Sequence, residues 1–219
     1  MVSRANIPNQ LTLLRLVLAA AFFIVLNQYR YPETHLWALW VSIAIFILAA
    51  LTDLLDGYLA RRWQVESTFG RIMDPFCDKV LVLGAFLYLA GPRFVISTED
   101  GLPVPFVMIS GVYPWMIVVI LARELLVTGI RGEMEGQGIK FGANIWGKLK
   151  ATLQFIVIPI VLAIVWFDPH QYETWWWMIP VRDGLIYATV IITVISGLPY
   201  FLAAVDALRG DRRAGQSDP

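Results

Sequence analysis

Apolar residues fall in six long blocks, at 11–29, 36–60, 72–92, 112–131, 149–167 and 183–208, separated by shorter stretches rich in charge, proline and glycine. Each block approximates the roughly 20 residues that a helix needs to cross hydrocarbon. None alternates like a barrel strand, and in lipid only helices and closed barrels satisfy their own backbone groups, so the pattern predicts an all-α integral membrane fold with six transmembrane helices. Turn formers mark the connections: Tyr31-Pro32, Gly91-Pro92, Gly101-Leu102-Pro103-Val104-Pro105 and Asp168-Pro169. Trp175, Trp176 and Trp177 form a run that reads as a headgroup-level belt in preference to a stacking platform. Neither an internal repeat nor a linker divides the chain, which predicts one membrane domain over 1–208 followed by a polar tail over 209–219.

Composition agrees: 58% hydrophobic residues and 13% aromatics exceed what a soluble domain of 219 residues carries. The early run from Leu16 to Leu26 also fits a cleaved signal peptide, but no small-residue cleavage site follows it, and Asn27, Tyr29 and Arg30 form an interfacial edge, so it is read as a span. Cys77 is the single cysteine, which excludes an intramolecular disulfide and argues against a thiolate metal cage. Equal numbers of basic and acidic residues, 17 of each, argue against a nucleic-acid-binding protein. Arg30, Arg93 and Arg182 follow the first, third and fifth blocks, whereas the other Lys and Arg residues lie at the opposite ends, so the positive-inside rule puts both termini in the cytoplasm.

The end of the second block departs from an apolar helix, running Thr52-Asp53-Leu54-Leu55-Asp56-Gly57-Tyr58-Leu59-Ala60-Arg61. Asp53, Asp56, Gly57 and Ala60 stand at i, i+3, i+4 and i+7 and share one helical face. Asp74 and Asp78, an i, i+4 pair, open the third block after Gly70. A single Asp here reads equally as a solvated charge or a partner for Arg61, Arg62, Arg71 or Lys79. Four at helical spacing point instead to an ion or substrate site, because ionisable groups within spans are costly. Carboxylates without His or Cys nearby suit Mg²⁺ or Mn²⁺, and a pair of such ions is the general arrangement for in-line displacement at phosphorus. Gly57 and Ala60 would let a nucleotide lie against the helix, with Arg61 reaching a diphosphate; close helix packing explains the small residues equally well.

The complete arrangement D-x₂-D-G-x₂-A-R-x₈-G-x₃-D-x₃-D, from Asp53 to Asp78, resembles the signature of the CDP-alcohol phosphatidyltransferases. The resemblance implies that Asp53, Asp56, Asp74 and Asp78 bind two divalent ions and that CDP lies along Gly57, Arg61 and Ser67, with Ala60 and Gly70 in the same site. It also implies that Asp78 accepts the proton of an alcohol attacking the β-phosphorus of CDP-diacylglycerol, with CMP leaving. Pro8-Asn9-x-Leu11-Thr12-x₂-Arg15 is similar to the family's cytoplasmic amino-terminal segment, which makes Pro8 and Asn9 nucleotide contacts; an Asn or Thr cap on the first helix is the alternative.

The acceptor has to be read elsewhere. Arg123-Glu124, Arg131, Lys148 and Lys150 gather on the cytoplasmic side of the fourth and fifth blocks, and Arg123 sits within an apolar run. Such cations suit an acceptor that already carries a phosphate, which makes Arg123, Arg131 and Lys148 the candidate phosphate ligands. Lys148 and Lys150 also satisfy the positive-inside rule, and Arg123 also fits as a partner for one of the motif acids. Arg123-Glu124-x₆-Arg131, Gly147-Lys148-x-Lys150-x-Thr152-x-Gln154 and Ser196-Gly197-x₂-Tyr200-Phe201 resemble stretches of the phosphatidylglycerophosphate synthases within the family. That likeness implies sn-glycerol 3-phosphate as acceptor and a homodimer; with no organelle address in the sequence, a bacterial inner membrane is the default location, and the positive-inside rule turns the site to the cytoplasm. A cardiolipin synthase using phosphatidylglycerol, or an enzyme using inositol phosphate, is the runner-up. An ion transporter is disfavoured by the absence of paired broken helices, and a non-catalytic scaffold by the intact motif.

Overall fold

The structure, a computed structural model, describes residues 7–32, 34–63, 68–97, 103–136, 145–167 and 175–214. Within these, the side chains of 7–9, 56–61, 63, 68–72, 74, 75, 78, 97, 103–106 and 206–214 lie outside the description. Six helices follow in order: α1 (Ile7–Leu26), α2 (Trp37–Trp63), α3 (Thr68–Leu89), α4 (Pro114–Gly136), α5 (Ile145–Phe167) and α6 (Met178–Ala214). Each matches one apolar block of the sequence. α6 continues to Ala214, so the first residues of the expected polar tail extend the last helix.

α1 packs on α2 and α3, α2 on α5, and α6 closes the bundle against α4 and α5. Aromatic contacts knit these layers together. Phe22 lies 5.6 Å from Phe46, Phe46 5.9 Å from Phe155, and Phe23 stacks on Tyr88 at 5.2 Å. The α1–α3 approach depends on Gly84, where a Cβ would stand 2.3 Å from Phe23 Cζ. Small residues serve this purpose generally where membrane helices pack closely.

Large apolar side chains also face outward, among them Val17, Ile24, Leu48, Leu54, Val118, Leu125 and Ile191. An exposed apolar surface on this scale belongs in lipid. Among the described residues, three helical stretches are long and apolar enough to cross a membrane: Trp37–Leu55, Ile145–Phe167 and Met178–Val205. Gln10–Leu26 and Lys79–Leu89 are shorter apolar stretches.

The connection from α3 to α4 differs from the expected run of turns. A 3₁₀ turn over Pro92–Phe94 leads into β1 (Val95–Ser97), which pairs antiparallel with β2 (Pro103–Met108). Pro103 and Pro105 read as breakers in the sequence, but proline is tolerated on the edge strands of which a two-stranded sheet consists. The hairpin is sewn to the bundle. Ile109 N–H donates to Phe94 C=O at 2.8 Å, Ser110 Oγ donates to Leu89 C=O at 2.6 Å, and Arg182 Nη1 from α6 donates to Ile109 C=O at 2.6 Å. Gly111 takes φ +69°, and a Cβ there would meet Arg182 Nε at 2.6 Å, so both its conformation and its neighbour require glycine.

Candidate active site

Two groups of polar residues gather at the end of the bundle opposite the hairpin. The first is the acidic motif. Asp53 and Asp56 lie on the last turns of α2, and Asp74 and Asp78 on the first turns of α3. Only four residues, 64–67, separate the two helices in the chain, so both acid pairs lie close to this connection in sequence. Asp53 is the member whose side chain is described. Its carboxylate pairs with Arg15 of α1, Nη2 to Oδ1 2.6 Å, with Arg15 almost wholly buried and Asp53 partly exposed. The sequence reading offered Arg61, Arg62, Arg71 or Lys79 as partners for the acids and did not pair Arg15 with Asp53. An arginine inside the apolar first block was the signal available. Pro8, Asn9, Asp56, Gly57, Ala60, Arg61, Ser67, Gly70, Asp74 and Asp78 lie outside the residues whose side chains are described, and among the described residues no group of three or more His, Cys, Asp or Glu forms a metal cage.

The second group is a basic cavity of about 640 Å³ between α3, α4, α5 and α6, lined by Lys79, Arg123, Glu124, Thr128, Arg131, Lys148 and Tyr200 among others. A lobe of about 360 Å³ adjoins it, sharing Lys79, Glu124 and Arg131 and adding Lys150 and Gln154. The three expected phosphate ligands, Arg123, Arg131 and Lys148, thus line one space.

Glu124 organises its floor. Buried in α4, it accepts hydrogen bonds from Lys150 Nζ and, at 3.0 Å, from Arg123 Nη1. Arg123 also donates through Nη2 to Ser196 C=O at 3.1 Å, so among the described residues its partners are Glu124 and this carbonyl, where the sequence offered one of the motif acids. Its Nε is a buried donor with no hydrogen-bond partner among the described residues. A Cβ on Gly197 would lie 3.2 Å from Arg123 Cγ, so this glycine makes room for the arginine stem. The Ser196-Gly197-x₂-Tyr200 stretch therefore acts on the cavity through a backbone carbonyl, a missing side chain and a lining ring.

Lys79 donates to Thr128 Oγ1 at 2.5 Å, and that hydroxyl donates to Glu124 C=O at 2.7 Å. Arg131 reaches Glu135 at 3.4 Å on a half-exposed face. Lys79, Glu124, Thr128 and Lys150 were not among the acceptor ligands expected from the sequence. Lys150 and Glu124 were visible there as charges in apolar helices, whereas Lys79 was taken only as a partner for the acids. Five cations and two carboxylates line the joined cavities, an imbalance that favours an anion. The basic cavity begins at Lys79, the residue after Asp78 on the helix that carries two of the four acids.

A protein from Bacillus subtilis named CDP-diacylglycerol–glycerol-3-phosphate 3-phosphatidyltransferase is 30% identical over 93% of this chain and 97% of its own length. Proteins of the same name from Salmonella typhimurium, 32% identical over 94% of this chain and 96% of their own, and from Cereibacter sphaeroides, 29% identical over 94% and 99%, are also similar. Residues 5–202 match the family described as CDP-alcohol phosphatidyltransferase, and the chain belongs to that family.

Proposed function

We propose that this phosphatidyltransferase moves the phosphatidyl group of CDP-diacylglycerol to sn-glycerol 3-phosphate, giving phosphatidylglycerophosphate and CMP. The relatives that bear the name of this reaction support the reading. The observation that carries it is the cation-rich cavity lined by Lys79, Arg123, Arg131 and Lys148 next to the helix of Asp74 and Asp78. An acceptor phosphate held there by charge-assisted hydrogen bonds leaves its hydroxyl free to reach the acids. Arg123 Nε, buried and without a partner among the described residues, is a donor available to it.

Asp53, Asp56, Asp74 and Asp78 would hold two Mg²⁺ or Mn²⁺ ions. The donor set fits, because carboxylates are the ligands of hard cations and a carboxylate has lone pairs enough to accept Arg15 as well as a cation. When bound, the pair supplies stabilisation of charge on the phosphoryl oxygens. The chain's own residues do the rest. Asp78 takes the proton from the acceptor hydroxyl, whose oxygen forms a bond to the β-phosphorus as the bridge to CMP breaks. Arg15 fixes Asp53, and Gly57, Ala60, Arg61, Ser67 and Gly70, with Pro8 and Asn9, bind CDP-diacylglycerol. The acyl chains stay in the bilayer, with all six helices crossing, both termini and the site at the cytoplasmic side of the inner membrane, one catalytic domain over 1–208, and two copies forming a homodimer.

An acceptor panel tests the reading. Purified protein with CDP-diacylglycerol and Mg²⁺ should release CMP with sn-glycerol 3-phosphate and not with inositol phosphate or phosphatidylglycerol. Preference for phosphatidylglycerol would make it a cardiolipin synthase on the same scaffold.

A further inference from the structure

Three arginines stand against the positive-inside pattern at the hairpin end, and they have different fates. Arg182 is buried and bonds Ile109 C=O and Asp183. Arg30 forms a backbone bridge with Thr34. Arg93 is only partly buried and stands at a second cavity of about 640 Å³, between the end of α3 and the start of α4. The trough of this cavity is apolar, formed by Leu87, Ala90, Ile117, Val118 and Leu121, and Asn27 joins Arg93 in its lining. From Pro114 to Leu121 it follows two turns of α4, about 10 Å.

Arg93 is held in place. Its Nη1 donates to Tyr29 C=O at 3.2 Å and its own carbonyl accepts from Tyr31 N–H at 2.9 Å. One of five guanidinium donors is engaged in that side-chain bond. Leu87 and Val118 project from the protein, 61% and 65% exposed, so the trough opens sideways onto the apolar outer surface of the bundle. An apolar trough open to lipid, with a fixed guanidinium and an amide at one end, has the chemistry of an acyl chain joined to a phosphodiester.

We propose that this groove binds one anionic glycerophospholipid from the leaflet opposite the acidic motif, its chain between α3 and α4 and its phosphate on Arg93 and Asn27. The site is separate from the basic cavity. The two share no lining residue: Leu87 follows Lys79 by eight positions, about 12 Å along α3, and Leu121 and Arg123 on α4, two residues apart, face roughly opposite sides of that helix. Neither catalysis nor acceptor binding uses it, and a lipid seated there clamps the α3–α4 joint from which the hairpin projects.

The test is lipid retention by the full chain, measured by native mass spectrometry after exchange into mixed micelles of phosphatidylglycerol and phosphatidylcholine. Wild type should retain one phosphatidylglycerol in preference to phosphatidylcholine, with Arg93→Gln weakening that preference about tenfold and Arg93→Lys largely keeping it. Asn27→Asp, on an exposed side chain that does not bear on folding, should weaken it as well. Val118→Trp, which fills the trough, should lower retention of both lipids. The double change Arg131→Gln with Lys148→Gln should leave the preference intact; if it abolishes the preference, the lipid sits in the basic cavity and the proposal fails. Equal retention of both lipids by wild type, or an unchanged preference in both Arg93→Gln and Asn27→Asp, also overturns it.

Discussion

Arg15, buried in the first helix, holds the carboxylate of Asp53 at the end of the second through an ion pair of 2.6 Å. The two residues are far apart in the chain, and the pair fixes one acid of the motif against the core of the bundle. Replacing Arg15 by Met leaves Asp53 without this counter-charge. The expected result is a loss of about 1–3 kcal/mol of stability, reduced from the fully buried case because Asp53 is partly exposed. CMP release should fall by at least tenfold across a Mg²⁺ titration. Thermal unfolding in detergent and the titration check the two effects separately.

Glu124 is the anion that holds Arg123 and Lys150 in the basic cavity. Glu124→Gln keeps the shape and removes the charge, leaving two cations to repel each other. The Michaelis constant for the acceptor should rise by about tenfold or more, while that for CDP-diacylglycerol changes little, a split that steady-state kinetics with each substrate varied in turn would measure.

Arg131 and Lys148 are exposed, so their replacement should be nearly silent in stability, within about 0.5 kcal/mol. Arg131→Gln and Lys148→Gln should nevertheless each weaken acceptor use by about tenfold, with the effect shrinking as ionic strength rises. Acceptor titrations at low and high salt would decide it.

Gly84 separates α3 from α1 at the ring of Phe23. Gly84→Val should overpack this contact and cost about 1–3 kcal/mol. Phe23→Leu combined with it should recover part of the loss, and a double-mutant cycle of thermal stabilities would show that coupling.

Much of the fold was legible because hydrophobic blocks of span length report helices without any knowledge of tertiary contacts. The six blocks became α1 to α6. The β1–β2 hairpin was not legible, since Pro103 and Pro105 signal a break whether or not an edge strand surrounds them. The cluster of Arg123, Arg131 and Lys148 was readable as cations within or beside apolar helices. The part Glu124 plays in holding Lys150, and the bridging Lys79–Thr128 contact, were not, because such pairs depend on how α3, α4 and α5 dock. Arg15 shows the same limit: the sequence reveals a costly charge in an apolar helix but not the carboxylate that compensates it.

The central claim is transfer to glycerol 3-phosphate with Asp78 as base. The direct measurement is the lipid product formed from labelled sn-glycerol 3-phosphate and CDP-diacylglycerol by wild type and by Asp78→Asn, at matched folding and with Mg²⁺ present. The account requires labelled phosphatidylglycerophosphate with equimolar CMP from wild type, and a rate at least 100-fold lower from Asp78→Asn. Label absent from the lipid fraction of active protein, or a variant that turns over like wild type, would contradict it.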